Sequence, residues 1–161
     1  MKLRYFFAAC VFVMLLSLTA CSEKTKALQL TEFQSEVTIK NSENEIRGSF
    51  CFSSASDMTF TVSYPEEMEK MTLYSDGTEL KLTSGKVSVP FEKLSFGENM
   101  FSPLFDAVSL LSVSSPMISE EGTDNLVLQG ESGEYSFVVS SDEMRIASIE
   151  KNGITYSFRY Q

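Results

Sequence analysis

Phe33-Gln34-Ser35-Glu36-Val37-Thr38-Ile39-Lys40, then Asn41-Ser42-Glu43-Asn44, then Glu45-Ile46-Arg47-Gly48-Ser49-Phe50-Cys51-Phe52 is the stretch that decides the architecture. Phe33, Ser35, Val37 and Ile39 take every second place, and Glu32, Gln34, Glu36, Thr38 and Lys40 fall between them. Side chains of a strand alternate between its two faces, so the pattern predicts a half-buried strand. The polar quartet turns the chain. Ile46, Gly48, Phe50 and Phe52 then return along the same face, leaving Cys51 on the other.

The period of two continues downstream. Met58, Phe60, Val62 and Tyr64 make a third strand, stopped by Pro65, and Glu66 to Lys70 is at most one helical turn. Met71 to Tyr74 and Thr78 to Leu82 read as a hairpin around Asp76-Gly77, a pair suited to the positive φ angles of a type I′ turn. Ser84-Gly85 turns the chain into Val87–Val89 and Phe91. There the period changes. Ser102-Pro103 has the form of an N-cap and first helical residue, and Leu104, Phe105, Val108 and Leu111 recur at helical spacing, predicting a helix over 103–113. Ser114-Ser115-Pro116 ends it. After the acidic loop with Glu120, Glu121 and Asp124, strands resume at Leu126–Leu128, at Tyr135, Phe137 and Val139, and in a last hairpin around Asn152-Gly153.

The expected chain is mainly β, with about nine or ten hairpin-linked strands and one helix between the sixth and seventh. A meander that wide must curl or close. Most strands offer one apolar face, which favours a single curved antiparallel sheet, an incomplete barrel with the helix in its concave face. A closed sandwich is the other arrangement.

Upstream of the strands the chain changes character. Met1-Lys2-Leu3-Arg4 is followed by an apolar run from Tyr5 to Leu18 and then by Leu18-Thr19-Ala20-Cys21. Two cations, a short apolar run and a small residue before a cut site compose a secretory signal over 1–20. The run is shorter than the ~20 residues a spanning helix needs. The final quartet resembles the lipobox of bacterial lipoproteins. That resemblance implies that Cys21 is acylated with diacylglyceryl and fatty-acyl (palmitate-like) chains and becomes the first residue of the mature protein. It places the chain on the extracytoplasmic side of the cell membrane, or at the outer membrane if the host has one. Residues 21–30 are expected to form a short polar tether, and 31–161 a single domain.

The chain carries 13 Lys and Arg against 22 Asp and Glu. Lys2 and Arg4 leave with the signal, so the mature portion holds 11 cations against 22 carboxylates, a net of −11. Such a surface disfavours nucleic acid and anionic headgroups as partners. Membrane contact is therefore expected through the lipid on Cys21. With Cys10 lost and Cys21 acylated, Cys51 is the one remaining thiol, and no internal disulfide can form. There is no histidine, which excludes Ser-His-Asp, Cys-His and His-ligated metal sites.

The strand ending Tyr64-Pro65, the run Leu73-Tyr74-Ser75-Asp76-Gly77-Thr78, and the closing Ile149-Glu150-Lys151-Asn152-Gly153-Ile154 are together similar to the LolA/LolB-like lipoprotein carrier superfamily. The resemblance implies an incomplete barrel wrapped over helix, with an apolar cavity for acyl chains. The long helix that this family places before its first strand has little room in Ser22–Leu30.

Two functional readings follow. In the first, a half-barrel groove binds an acyl chain or the lipid moiety of a lipoprotein, lined by Val37, Ile39, Phe50, Phe52, Phe60, Val62, Leu73, Leu80, Leu104, Phe105, Val108, Phe137, Val139 and Phe158. A partly open apolar groove is expected beside Leu104–Leu111. The same residues would equally make a dry core filled by the helix. In the second, the domain is a non-catalytic envelope adaptor that presents acidic surface, including the Glu120–Glu121–Asp124 loop, to a protein partner. Catalysis is not expected. Glu66, Glu67 and Glu69 do not converge on one point, and Ser53-Ser54-Ala55-Ser56 lacks a base. No cofactor or metal is implied.

Replacing Cys21 by Ser tests the anchor. The variant should remain an uncut precursor or leave the membrane fraction; a processed, membrane-bound Cys21→Ser would refute lipidation.

Overall fold

The computed structural model describes residues 24–90 and 100–160. The signal, the lipobox with Cys21, and Phe91 lie outside the described residues. Strands are β1 (Thr25–Ala27), β2 (Phe33–Lys40), β3 (Glu45–Ser54), β4 (Asp57–Tyr64), β5 (Thr72–Ser75), β6 (Leu80–Ser84), β7 (Val87–Pro90), β8 (Met117–Ser119), β9 (Thr123–Gly130), β10 (Gly133–Ser140), β11 (Arg145–Lys151) and β12 (Ile154–Tyr160). Among the described residues, one helix, α1, spans Ser102–Ser114, and one 3-10 turn spans Glu66–Met68.

Ten strands form one antiparallel sheet in the order β7-β6-β5-β4-β3-β2-β12-β11-β10-β9. The sheet is curved and its end strands do not pair, so the barrel is incomplete. Chain order explains the permutation. β2 to β7 is one meander, β9 to β12 is another, and β12 joins them by pairing with β2, Phe158 opposite Val37 and Tyr156 opposite Ile39.

The face assigned from alternation is the buried one. Val37, Ile39, Phe50, Phe52, Met58, Phe60 and Val62 are buried, and Glu36, Arg47 and Lys40 lie on the other side. Leu104, Phe105, Ala107, Val108 and Leu111 of α1 join the same core. Pro103 sits in the first turn of α1, where its missing N–H has no helical acceptor to lose. Ser102 is already helical, one residue earlier than its expected capping role. At the far end Ser115 turns left-handed (φ +42°), its N–H donating to the Leu111 carbonyl, and Pro116 stops the helix.

Two positions show how packing sets backbone chemistry. Gly48 lies beneath the Phe60 ring; a Cβ there would run into the Thr61 carbonyl and that ring. On β11 the register slips between Val138 and Val139 of β10, so that Ala147 is extra. The bulge lets Ile146 and Ile149 both reach the core although they are three apart, a spacing that strict alternation forbids.

Three expectations are corrected. The Asp76-Gly77 hairpin is not a two-residue turn: Ser75 pairs with Leu80, leaving a four-residue loop in which only Gly77 has positive φ. Asp76 closes that loop, its Oδ1 accepting from the Thr78 hydroxyl (2.7 Å) and the Thr78 and Glu79 amides (3.0 and 2.9 Å). These bonds, the Thr78 hydroxyl first, hold the carboxyl well below the usual range. Second, Tyr64 is exposed although it ends an inward-facing series. Third, residues 25–30 are no loose tether. β1 pairs with β8 in a two-stranded ribbon, Lys26 opposite Ile118. Leu28, fully buried, donates its N–H to the Pro116 carbonyl at 2.8 Å.

Truncating Phe60 to Ala should cost about 3–5 kcal/mol, as for buried aromatics generally. Gly48→Ala should cost about 1–3 kcal/mol by overpacking against that ring. Urea unfolding measures both.

Candidate functional site

The candidate site is the hollow of the sheet. Its central lining is buried. Val37, Ile39, Phe50, Phe52, Phe60, Val62, Leu73, Leu104, Phe105, Val108, Phe137 and Val139 are buried together, while Leu80 and Phe158 are partly buried. The structure brings all of the expected lining residues to one core, where they pack on one another. Phe105 meets Phe50 edge-on at 5.6 Å between ring centroids, and Phe101 lies 5.9 Å from Phe60. Tyr135, Tyr156, Leu28 and Ile118 share this core and were not among the expected lining. The Tyr156 hydroxyl donates to the Met100 carbonyl at 3.0 Å, and burial pushes its pKa up. Alternation with Phe137 on β10 and with Phe158 on β12 is the signal that would have found both tyrosines. Leu28 and Ile118 sit in strands too short to show any period.

One end of the hollow is different. Phe33 stacks on Phe52 at 5.4 Å and lies 5.6 Å from Tyr160 and 6.4 Å from Phe158. Phe33, Phe158 and Tyr160 are only half-buried, as are neighbouring Leu30 and Met144. A cleft of about 240 Å³ opens here with a mostly polar lining, Thr31, Glu32, Gln34, Glu143 and Arg145, against which Leu30, Phe33, Met144 and Tyr160 stand. The Arg145 guanidinium lies 4.8 Å over the Tyr160 ring and pairs with Glu143 at 3.3 Å. Burial lifts the Tyr160 hydroxyl to a pKa of about 12, so it stays protonated at neutral pH. Ser35 faces Phe50 across one strand pair and Tyr160 across the other. Its hydroxyl is buried without a hydrogen-bond partner among the described residues. The half-buried rings form an aromatic patch beside this cleft, and the Tyr160 hydroxyl near it is, like that of Ser35, buried without a hydrogen-bond partner among the described residues.

Beside α1 lies a second cleft, of mixed polar and apolar lining. It holds about 310 Å³ and is lined by Gly77, Asp106, Ser109, Leu110, Gly130, Glu131 and Ser132. Leu104, Val108 and Leu111 turn inward, so the helix shows this cleft its hydrophilic side. Burial, then the nearby Glu131 carboxylate, raises the Asp106 pKa. Adjacent Lys151, only 4 % exposed, donates to the Ser132 carbonyl at 2.8 Å and stands 4.1 Å over the Tyr135 ring.

The β1–β8 ribbon helps cover the hollow through Leu28 and Ile118. Asp124 fastens it: Oδ2 accepts from the Ser119 amide (2.9 Å) and the Ser141 hydroxyl, and Oδ1 from the Ser119 hydroxyl (2.9 Å). Asp124 is thus a structural tie within the expected acidic loop, while Glu120 and Glu121 are exposed.

The chain is therefore an open antiparallel half-barrel with one helix in its hollow. Among solved structures it is similar to a LolA superfamily protein from Nitrosomonas europaea, at 11% identity over 83% of this chain and 86% of that one, with a TM-score of 0.43. No protein-family model and no curated protein matches it.

The Ser141 and Ser119 hydroxyls hold Asp124 below the ordinary carboxylate value of 3.8. A depressed carboxylate contributes stability that is present above its unfolded pKa and is lost as pH falls through the lower folded one. Amide exchange in β1 and β8 should therefore accelerate as pH drops below about 3.8. In Asp124→Asn that exchange should be fast already at neutral pH, with the acid step gone and Ile149 unchanged.

Proposed function

We propose that the chain is a lipid-anchored, non-catalytic binding protein of the extracytoplasmic face of a bacterial membrane, holding an apolar chain at the aromatic end of its half-barrel. The observation that carries the reading is the partial burial of Phe33, Phe158 and Tyr160, whose rings continue the buried wall of Phe50 and Phe52 out to solvent. An apolar wall that passes from core to surface beside a cleft suits an acyl chain, which gains about 0.8 kcal/mol for each methylene it buries. The anchored location rests on the signal and Cys21 pattern alone. The non-catalytic reading rests on the absence of histidine from the chain and on the exposed, divergent Glu66, Glu67 and Glu69.

A fluorescent fatty acid titrated into the purified chain should bind saturably. Phe158→Ala and Phe33→Ala should weaken it by about 1–3 kcal/mol each, the scale of a lost large apolar contact. Absence of saturable binding by a folded chain would remove ligand carriage.

A further inference from the structure

The open sheet ends on one side at β9. Its eight residues, Thr-Asp-Asn-Leu-Val-Leu-Gln-Gly over Thr123–Gly130, pair without a bulge along β10. Among the described residues, no strand lies on its other side. The Gln129 side chain donates to the Gly130 carbonyl at the turn end of β9. Natural edge strands are commonly blunted by brevity, Lys, Pro or bulges. The opposite edge, β7, is four residues long, follows Lys86 and ends at Pro90. β9 carries none of these devices, and Val127 at its middle is 61% exposed.

We propose that β9 accepts an extended segment of another protein as an eleventh strand, a segment apolar at its centre and basic at its ends. Charge selects this occupant. Exposed Glu120 and Glu121 precede β9, and exposed Glu131 and Glu134 follow it. Lys151, beyond the β9–β10 turn, is buried against Ser132 and Tyr135. Lys24 bonds Glu120 through its main-chain carbonyl only. A second copy would set these glutamates against their own kind in either strand direction, on a chain of net charge −9. An incoming strand with Lys or Arg at both ends meets carboxylates at both, and its central side chains meet Leu126, Val127 and Leu128.

The test uses the full chain in neutral detergent and a synthetic peptide of alternating Thr and Val with paired Lys at each end. Saturating peptide should slow amide exchange within residues 123–130 by roughly tenfold or more, with Glu-ended peptide binding roughly tenfold more weakly and salt weakening the Lys-ended one. Val127→Lys, an exposed position, should abolish protection while exchange at Phe137 and Ile149 stays unchanged. Unaltered exchange in 123–130, equal binding of the Glu-ended peptide, or persistent binding by Val127→Lys overturns the proposal. So does protection that rises with protein concentration alone, which assigns the edge to a second copy.

Discussion

An open sheet with one apolar face has to be covered, and the rest of this structure follows from that need. Backbone bonds hold the ten strands edge to edge, yet they are nearly neutral against water, at about 0.5–1.5 kcal/mol net each. Burying the face is worth more, at about 1.5–3 kcal/mol for each large side chain fully enclosed. Closing the barrel would cover the face by curvature alone. Here the end strands do not meet, and α1 supplies Leu104, Phe105, Val108 and Leu111 instead. The β1–β8 ribbon adds Leu28 and Ile118. A two-stranded ribbon of three-residue strands does not hold itself together in water. Those two buried side chains and the Asp124 tie are what keep it in place.

The strands and the helix were legible because their burial is one-sided and periodic. Val37, Ile39, Phe50, Phe60 and Val62 show the period of two directly, and Leu104, Val108 and Leu111 show the helical one. Other elements could not be read that way. β1 and β8 are three residues each, too short to repeat anything. Ala147 is bulged, so Ile146 and Ile149 break the alternation that would have announced them. The loop after Ser75 is set by a side chain: Asp76 gathers three donors, and that local network outweighs the two-residue turn that Asp-Gly favours elsewhere. For the site, the apolar lining was legible as a set of positions. Which members stay half-open depends on where α1 and the ribbon stop, and no single strand encodes that.

Polar groups inside the shell mark where coverage is imperfect. The Lys151 Nζ rests against a carbonyl and an aromatic face, where a buried lysine more usually meets a carboxylate. The Asp106 carboxylate stands near enough to act on it electrostatically without forming a close pair. Ser35 has no such relief. A buried hydroxyl left unpaired costs about 1–3 kcal/mol. Ser35 pairs with Phe50 on one side and Tyr160 on the other, so the cost falls at the aromatic end of the hollow.

Leaving the barrel open has a second consequence, at the sheet's margins. Closure removes edges, and an open half-barrel keeps two of them. They are unequal. β7 is short and ends at a proline, whereas β9 is long and bare. The helix packs chiefly on the β9 side, and Leu110 approaches Gly130 closely enough that a Cβ there would stand 3.3 Å from it. The bare edge is therefore backed by the best-supported part of the shell. A strand already held straight by β10 and α1 has paid its ordering entropy in folding, so an arriving segment bears only its own. The negative charge at both ends then restricts which segments gain by arriving, since a neutral or acidic strand finds main-chain bonds but no favourable termini. Openness thus leaves this fold half-buried rings at one end of its hollow and an unpaired strand edge at its margin, and the two proposed uses are independent of each other.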